Sequence, residues 1–371
     1  MNKIKVLQIG KYYYPYLGGT ENHLYTLANE LIKEVDIKIL VSNTRFKTSV
    51  ENYEGVDIYR LASLGSIFSL PLTFSLPIWL KRLNSDILHF HLPNPLAIIS
   101  FFLVRPSGKV IVTYHNDIIR QRIFLPLFNP FLIRFLKKAE VIIVTSQNLL
   151  DNSPILRRFR DKCKIIPHGI DLNKFLLTPE VTKEVGEIKQ KFSSPIILFV
   201  GRLVYFKGLE YLLKAMIKIE ARLLIIGDGP LKERLKKITH HLRIFHKISW
   251  LGKIDNEKLA PYYFASDIFV LPSAIKAESF GIVQLEAFAC ERPVISTDLP
   301  TGVPFVNLHR KTGLVVPPGD SKAIAKAIEV LLASEKIRKH YGQNGRERLE
   351  REFTKEIMSK EMLNIYYSLS N

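Results

Sequence analysis

Short runs of branched aliphatic residues alternate along the chain with longer amphipathic stretches. In the first half, KVLQIG, DIKILVS, DILHF, KVIVTYH and EVIIVTS are dense in Val and Ile and are bounded by turn residues. Nearly continuous apolar runs of this length predict strands buried on both faces, the mark of a parallel sheet. Residues 21–33 and 130–138 between them predict helices. The second half repeats the theme. PIILFVG, ARLLIIG, FHKISWLG, DIFVLPS and RPVIST predict strands, and residues 208–218, 231–241, 256–264, 281–289 and 321–333 predict helices. This βαβ alternation, written twice, predicts two α/β, Rossmann-like doubly wound domains facing a cleft, with ligands at the carboxyl ends of the strands. KIIPHGIDLNKF ends a strand and turns, and residues 176–194 are polar with weak periodicity. The boundary is therefore placed near Asp171, giving domains 1–171 and 172–353.

The chain has 371 residues, enough for two domains of ordinary size. Its formal net charge is +18, with a pI near 9.7. Such a surplus favours anionic partners, namely nucleic acid, an anionic membrane surface or a diphosphate-bearing substrate, although lysine-rich solvated surfaces would also produce it. Cys163 and Cys290 are the only cysteines. That fits a reducing cytoplasm, not a disulfide framework, and the sparse His and Cys spacing predicts no zinc site. The N-terminal MNKIKVLQIGKYYYP does not read as a signal peptide. Residues 64–80 and 87–104 are apolar, but prolines and histidines interrupt them, so neither predicts a membrane span.

Candidate chemistry lies just after the predicted strands. In PIILFVGRLVYFKG, Arg202 and Lys207 flank the start of a helix, where free N–H groups and the helix dipole already favour a diphosphate. In YYYPYLGGTENHLYTL, Gly18 and Gly19 would let backbone approach a phosphate closely, with Thr20 as a helix cap. A tight turn is the plainer reading of the same glycines. His115 follows a strand and would face the cleft, unless it is a satisfied structural histidine. His89 and His91 in LHFHLP are expected to place at most one ring in the cleft.

Glu278 and Glu286 are separated by seven residues in ESFGIVQLEAFACERPVIST. Glu286 sits within an apolar helix, where an ionised carboxylate is costly unless paired or hydrogen-bonded. A ribose or sugar diol is an apt partner, because two hydroxyls can donate to two carboxylate oxygens. A salt bridge to Arg292 is the alternative. Glu278 precedes the helix, beside the backbone amides of SFGI.

At these residues the chain resembles retaining glycosyltransferases of the GT-B fold, the family 4 or group 1 enzymes. The resemblance rests on the Glu–seven residues–Glu pattern and on GRLVYFKG, LLIIGDGP, IPHGID and GLVVPPGD occurring in order, over nearly the whole chain. It implies that Arg202 and Lys207 hold the donor diphosphate and that Glu286 binds the nucleotide ribose. It further implies that Glu278 contacts the donor sugar beside the amides of Phe280, Gly281 and Ile282, that His115 supports the reacting sugar, and that Gly18 and Gly19 approach the phosphates. No cofactor and no metal are implied, and the helix 354–371 would pack back on the first domain. Retention would proceed by front-face attack without an enzyme nucleophile.

HFHLPNPLA, TYHNDIIRQR and TGVPFVN are similar to bacterial or archaeal mannosyltransferases that extend polyprenyl-diphosphate-linked sugars. That implies GDP-mannose as donor, a lipid-linked glycan acceptor and a role in cell-surface polysaccharide synthesis. The stretch RQRIFLPLFNPFLIRFLKK, residues 120–138, interleaves cations with aromatics and suggests a peripheral protein on the cytoplasmic face of an anionic membrane. It also reads as a core helix with a basic outer face. A sugar-nucleotide epimerase of the same fold is the enzymatic rival. A nucleic-acid-binding protein is the rival from charge alone, and the chain carries no motif for it.

Overall fold

The computed structural model describes residues 3–16, 18–67, 70–118 and 125–370. The chain divides into two compact units, residues 1–169 with 355–371 and residues 170–354.

The first unit is built on strands β1 (Lys5–Ile9), β2 (Asp36–Ser42), β3 (Ser49–Tyr53), β4 (Val56–Leu61), β7 (Ile87–Leu92), β8 (Lys109–Tyr114), β9 (Val141–Val144) and β10 (Cys163–Ile165), with a small hairpin of β5 (Ser66–Ile67) and β6 (Leu70–Pro71) apart from them. The sheet order is β10-β9-β8-β7-β1-β2-β4-β3, and only β3 pairs antiparallel, with β4. Alternate residues feed opposite cores: Val6 packs on one side of the sheet, Leu7 and Ile9 on the other. The C-terminal helix Lys355–Ser370 lies against the helix Gly19–Leu31, tied by Lys355 Nζ at 3.0 Å from Glu30.

The second unit holds β11 (Ile196–Val200), β12 (Arg222–Ile226), β13 (Ile248–Gly252), β14 (Ile268–Leu271), β15 (Val294–Thr297) and β16 (Gly313–Val316). Every pairing is parallel, in the order β13-β12-β11-β14-β15-β16. The order reverses between β11 and β14, the place where doubly wound sheets bind ligands. Ile197 and Phe199 of β11 enter one core, and Ile196, Leu198 and Val200 the other.

Two segments differ from the sequence reading. The polar stretch 176–194, to which the weak periodicity assigned no element, holds a helix: Thr178 accepts from the Val181 N–H and caps it over Pro179–Phe192. None of that helix is fully buried, and only Val185, Ile188 and Phe192 touch the core, so its apolar period is faint. The helix Leu125–Lys138 begins before Pro130 and carries it inside. Among the described residues no helix is long and apolar enough to cross a membrane. The apolar stretch 87–104 is divided between β7 and the helix Pro95–Val104.

Candidate active site

In the second unit, β11 leads through Gly201 and Arg202 into a 3-10 turn, Tyr205–Lys207. Gly208 then takes φ 63°, and a Cβ there would lie 2.2 Å from the Pro272 carbonyl oxygen. Only glycine lets this turn rest on the end of β14, where the Ala274 N–H donates to the Phe206 carbonyl at 2.9 Å. This docking delivers Lys207 to the loop after β14. Its Nζ lies 2.7 Å from Glu278 Oε2, with the side chains 12% and 9% exposed. The Ser273 hydroxyl donates to the same oxygen at 2.8 Å. A pair so far from water holds only because its geometry and hydrogen bonding offset desolvation. Arg202, by contrast, is exposed.

Glu286 stands in the helix Val283–Ala289. The Tyr263 hydroxyl donates to its Oε2 at 2.6 Å. Burial pushes this carboxyl above the ordinary range, and the Tyr263 hydrogen bond and the ammoniums of Lys207 and Lys174 oppose the shift. Arg292 is not its partner, since that guanidinium donates to the carbonyls of Cys290 and Ser266. The Phe280 ring is buried beside Phe305 and Phe353, so only its backbone is offered at the helix start. Gly281 takes φ 73°, and with Ile282 it supplies amides at the N-terminal turn, where the first N–H groups have no intrahelical partner.

In the first unit, Gly18 is the N-cap of the helix Gly19–Leu31. Thr20 is therefore inside the helix and does not cap it. The Glu21 carboxylate folds back over Gly18, and a Cβ there would meet Glu21 Oε2 at 2.2 Å. His115 follows β8 and is buried among histidines: its Nε2 lies 3.1 Å from His91 Nδ1, and its ring stacks on His168 at 5.5 Å. His23 Nδ1 lies 2.8 Å from His168 Nδ1. His89 and His91 stack at 4.6 Å, both buried on one face of β7. Residues two apart on a strand share a face, which is the reason. Burial lowers the pKa of all these rings, to about 4 for His23 and about 3 for His89.

The structure thus brings Lys207 against Glu278, sets both near Glu286, and leaves Arg202 open to solvent. His115, Gly18 and Gly19 belong to the other compact unit. Sequence spacing does not mark Ser273, Tyr263, His23 or His168 as partners of these residues: Tyr263, His23 and His168 come from other elements, and Ser273 meets Glu278 within an irregular loop that has no periodicity.

Comparison with known proteins gives these residues a setting. The family description "Glycosyl transferases group 1" matches residues 182–348, and "Glycosyltransferase Family 4" matches residues 17–174. The D-rhamnosyltransferase WbpZ of Pseudomonas aeruginosa is 31% identical over 340 residues, covering 91% of this chain and 84% of that protein. The chain belongs to the group 1 glycosyltransferases. The O-antigen chain mannosyltransferase C of Escherichia coli is 29% identical over 370 residues, covering 99% of each chain. Among solved structures, Anabaena HepE in complex with UDP and glucose superposes with a TM-score of 0.79 at 18% identity, covering 98% of this chain and 100% of that one. The fold of this glycosyltransferase is therefore GT-B. The two family matches fall largely one on each compact unit.

Proposed function

We propose that this glycosyltransferase moves a hexose with retention of anomeric configuration, mannose from GDP-mannose, to a polyprenyl-diphosphate-linked glycan, as a peripheral enzyme on the cytoplasmic face of the membrane. The observation that carries the donor assignment is the Lys207–Glu278 pair beside Glu286, at the β11/β14 reversal of the second unit. Lys207 and Arg202 offset the charge of the leaving diphosphate, together with the amides of Phe280, Gly281 and Ile282. Glu278 accepts from donor-sugar hydroxyls and Glu286 from the ribose diol. His115 supports the reacting sugar, and Gly18 and Gly19 approach the phosphates. No metal is needed, because cations and helix N-termini supply the positive field.

The likeness to the O-antigen mannosyltransferase and the D-rhamnosyltransferase supports a polysaccharide-building role and a mannose-related donor. The HepE complex, which holds UDP and glucose, supports a nucleotide-sugar donor. The test is a binding screen of nucleotide sugars followed by turnover with short lipid-diphosphate acceptors. GDP-mannose binding, and GDP release that depends on acceptor, are expected. Preference for a uridine donor overturns the GDP-mannose assignment. Conversion of the sugar nucleotide without any acceptor overturns transfer.

A further inference from the structure

The histidines of the first unit make a second candidate site. His23 comes from the helix Gly19–Leu31, His91 from β7, and His115 from the turn after β8. One ring nitrogen of each lies within 4.8 Å of the other two. We propose that His23, His91 and His115 form a binding site for a borderline divalent cation such as Zn2+, and that its occupation withdraws His115 from the reacting sugar. The binding claim stands apart from the donor assignment, whereas the inhibitory claim rests on the role proposed for His115.

Several observations support an ion here. All three side chains are buried and neutral, and neutral imidazole is the ligating form. His23 Nε2 is buried without a hydrogen-bond partner among the described residues, a rare condition in a folded protein and one that a ligand relieves. The rings are also oriented from behind. Gln8 Oε1 lies 2.5 Å from His91 Nε2, which turns His91 Nδ1 toward His115. The Gln8 amide donates in turn to the Tyr366 hydroxyl at 3.2 Å, and that hydroxyl lies 2.7 Å from His89 Nδ1. Such outer contacts fix ring orientation and tautomer at metal centres.

The donor set selects the ion. Three imidazoles without carboxylates suit Zn2+, Co2+, Ni2+ or Cu2+, and not Mg2+ or Ca2+. Nitrogens about 2.0–2.1 Å from a tetrahedral centre stand about 3.4 Å apart, so the most distant pair, within 4.8 Å, closes by at most about 1.4 Å. The His91–His115 contact, at 3.1 Å, already has that spacing.

The experiment uses the full chain, stripped of metal and titrated with ZnCl2 against a chromogenic chelator, with Co2+ absorption as a second readout. One equivalent of Zn2+ is expected to bind, with a visible Co2+ band of four-coordinate nitrogen ligation. His23→Ala and His91→Gln are each expected to weaken binding by at least about tenfold and to abolish the band. Circular dichroism identifies any variant that fails to fold, and the other then carries the test. Absence of Zn2+ uptake by the wild type, or uptake unchanged in a folded variant, overturns the site. Zn2+ is expected to inhibit transfer reversibly on chelation. Stoichiometric Zn2+ binding with full activity overturns the inhibitory claim and the His115 assignment together.

Discussion

Lys207 and Glu278 neutralise one another, their charged atoms 2.7 Å apart and nearly withdrawn from water. Under the proposed donor assignment, a diphosphate arriving at Lys207 competes with a carboxylate already in place, and a sugar hydroxyl arriving at Glu278 competes with an ammonium and with Ser273. The pair holds both groups oriented before the donor binds. It also couples stability to function, since removing either partner leaves the other charge stranded.

Lys207→Met is accordingly expected to lower stability by roughly 3 kcal/mol, the cost of an unpaired buried carboxylate. Adding Glu278→Gln should recover most of that loss. Donor affinity should fall by about 1.5–3 kcal/mol in the single variant and should not return in the double. Denaturant melts and nucleotide titrations of the two variants decide this. Stability that stays low in the double variant would show that the pair is not what holds the loop.

Gly208→Ala tests how the pair is assembled. The substitution places a Cβ against the Pro272 carbonyl at a residue held at φ 63°. Strain of this kind costs about 1–3 kcal/mol. The turn should lift from β14 and carry Lys207 away, so the thermal midpoint and donor affinity should fall together. A stable variant with normal nucleotide binding would mean that the turn can shift without moving Lys207.

Much of this architecture was legible in the sequence. The strands through Ile9, Phe90, Val200 and Leu271 are buried on both faces, so their composition alone marks them. The antiparallel β3 was not legible, because Ser49–Tyr53 is largely exposed and has no apolar run. Glu278, Glu286, Lys207 and Arg202 stood out through their spacing and their place after strands. Their partners did not: Tyr263 comes from a separate helix, Ser273 reaches Glu278 through a turn of irregular loop that has no periodicity, and the histidine cluster draws on a helix, a strand and two loops. Spacing reports which residues share a face of one element, and contacts between elements exist only once the chain is folded.

Glu286 carries the pH dependence. Burial raises its folded pKa above the ordinary value of 4.5. Between those two values the folded state binds more protons than the unfolded state, so stability falls as pH rises through that window and levels off above it. Glu286→Gln should remove this slope and match or exceed the wild type in stability at neutral pH, while donor affinity drops. Tyr263→Phe removes a hydrogen bond that holds the pKa down, so the acid limb of donor binding should move to higher pH. Thermal melts and nucleotide titrations across the acid range measure both effects. An acid limb unmoved in Tyr263→Phe would detach Glu286 from donor binding.

Transfer activity should survive excess chelator, because Lys207, Arg202 and the helix N-terminus after Glu278 already offer positive charge to a diphosphate. Initial rates with and without EDTA measure this. A loss that added Mg2+ or Mn2+ restores would contradict it.

The proposed membrane association draws on the helix Leu125–Lys138, whose aromatic residues are not all open to solvent. Phe135 is fully buried and Phe128 packs on the core, while Arg120, Arg122 and Phe124 lie outside the described residues. Leu127 and Phe131 remain open at 77% and 49% exposure, and Leu103 of the adjoining helix Pro95–Val104 is 69% exposed. Phe102 and Phe131 bring the two helices together at 6.5 Å between ring centroids. Lys137 and Lys138 close the last turn of the longer helix. Apolar side chains beside cations suit the interface of an anionic bilayer, where each lysine or arginine contributes about 1 kcal/mol and salt screens the attraction. Sedimentation with anionic vesicles should show binding that weakens at high salt and is feeble with neutral vesicles. Leu127→Ser with Phe131→Ser should lower binding at every salt concentration, and Lys137→Gln with Lys138→Gln should chiefly flatten the salt dependence. Equal binding to both vesicle types, or none to either, would make this face ordinary solvated surface and leave the lipid-linked acceptor without physical support, while the donor site around Lys207 and Glu278 would stand.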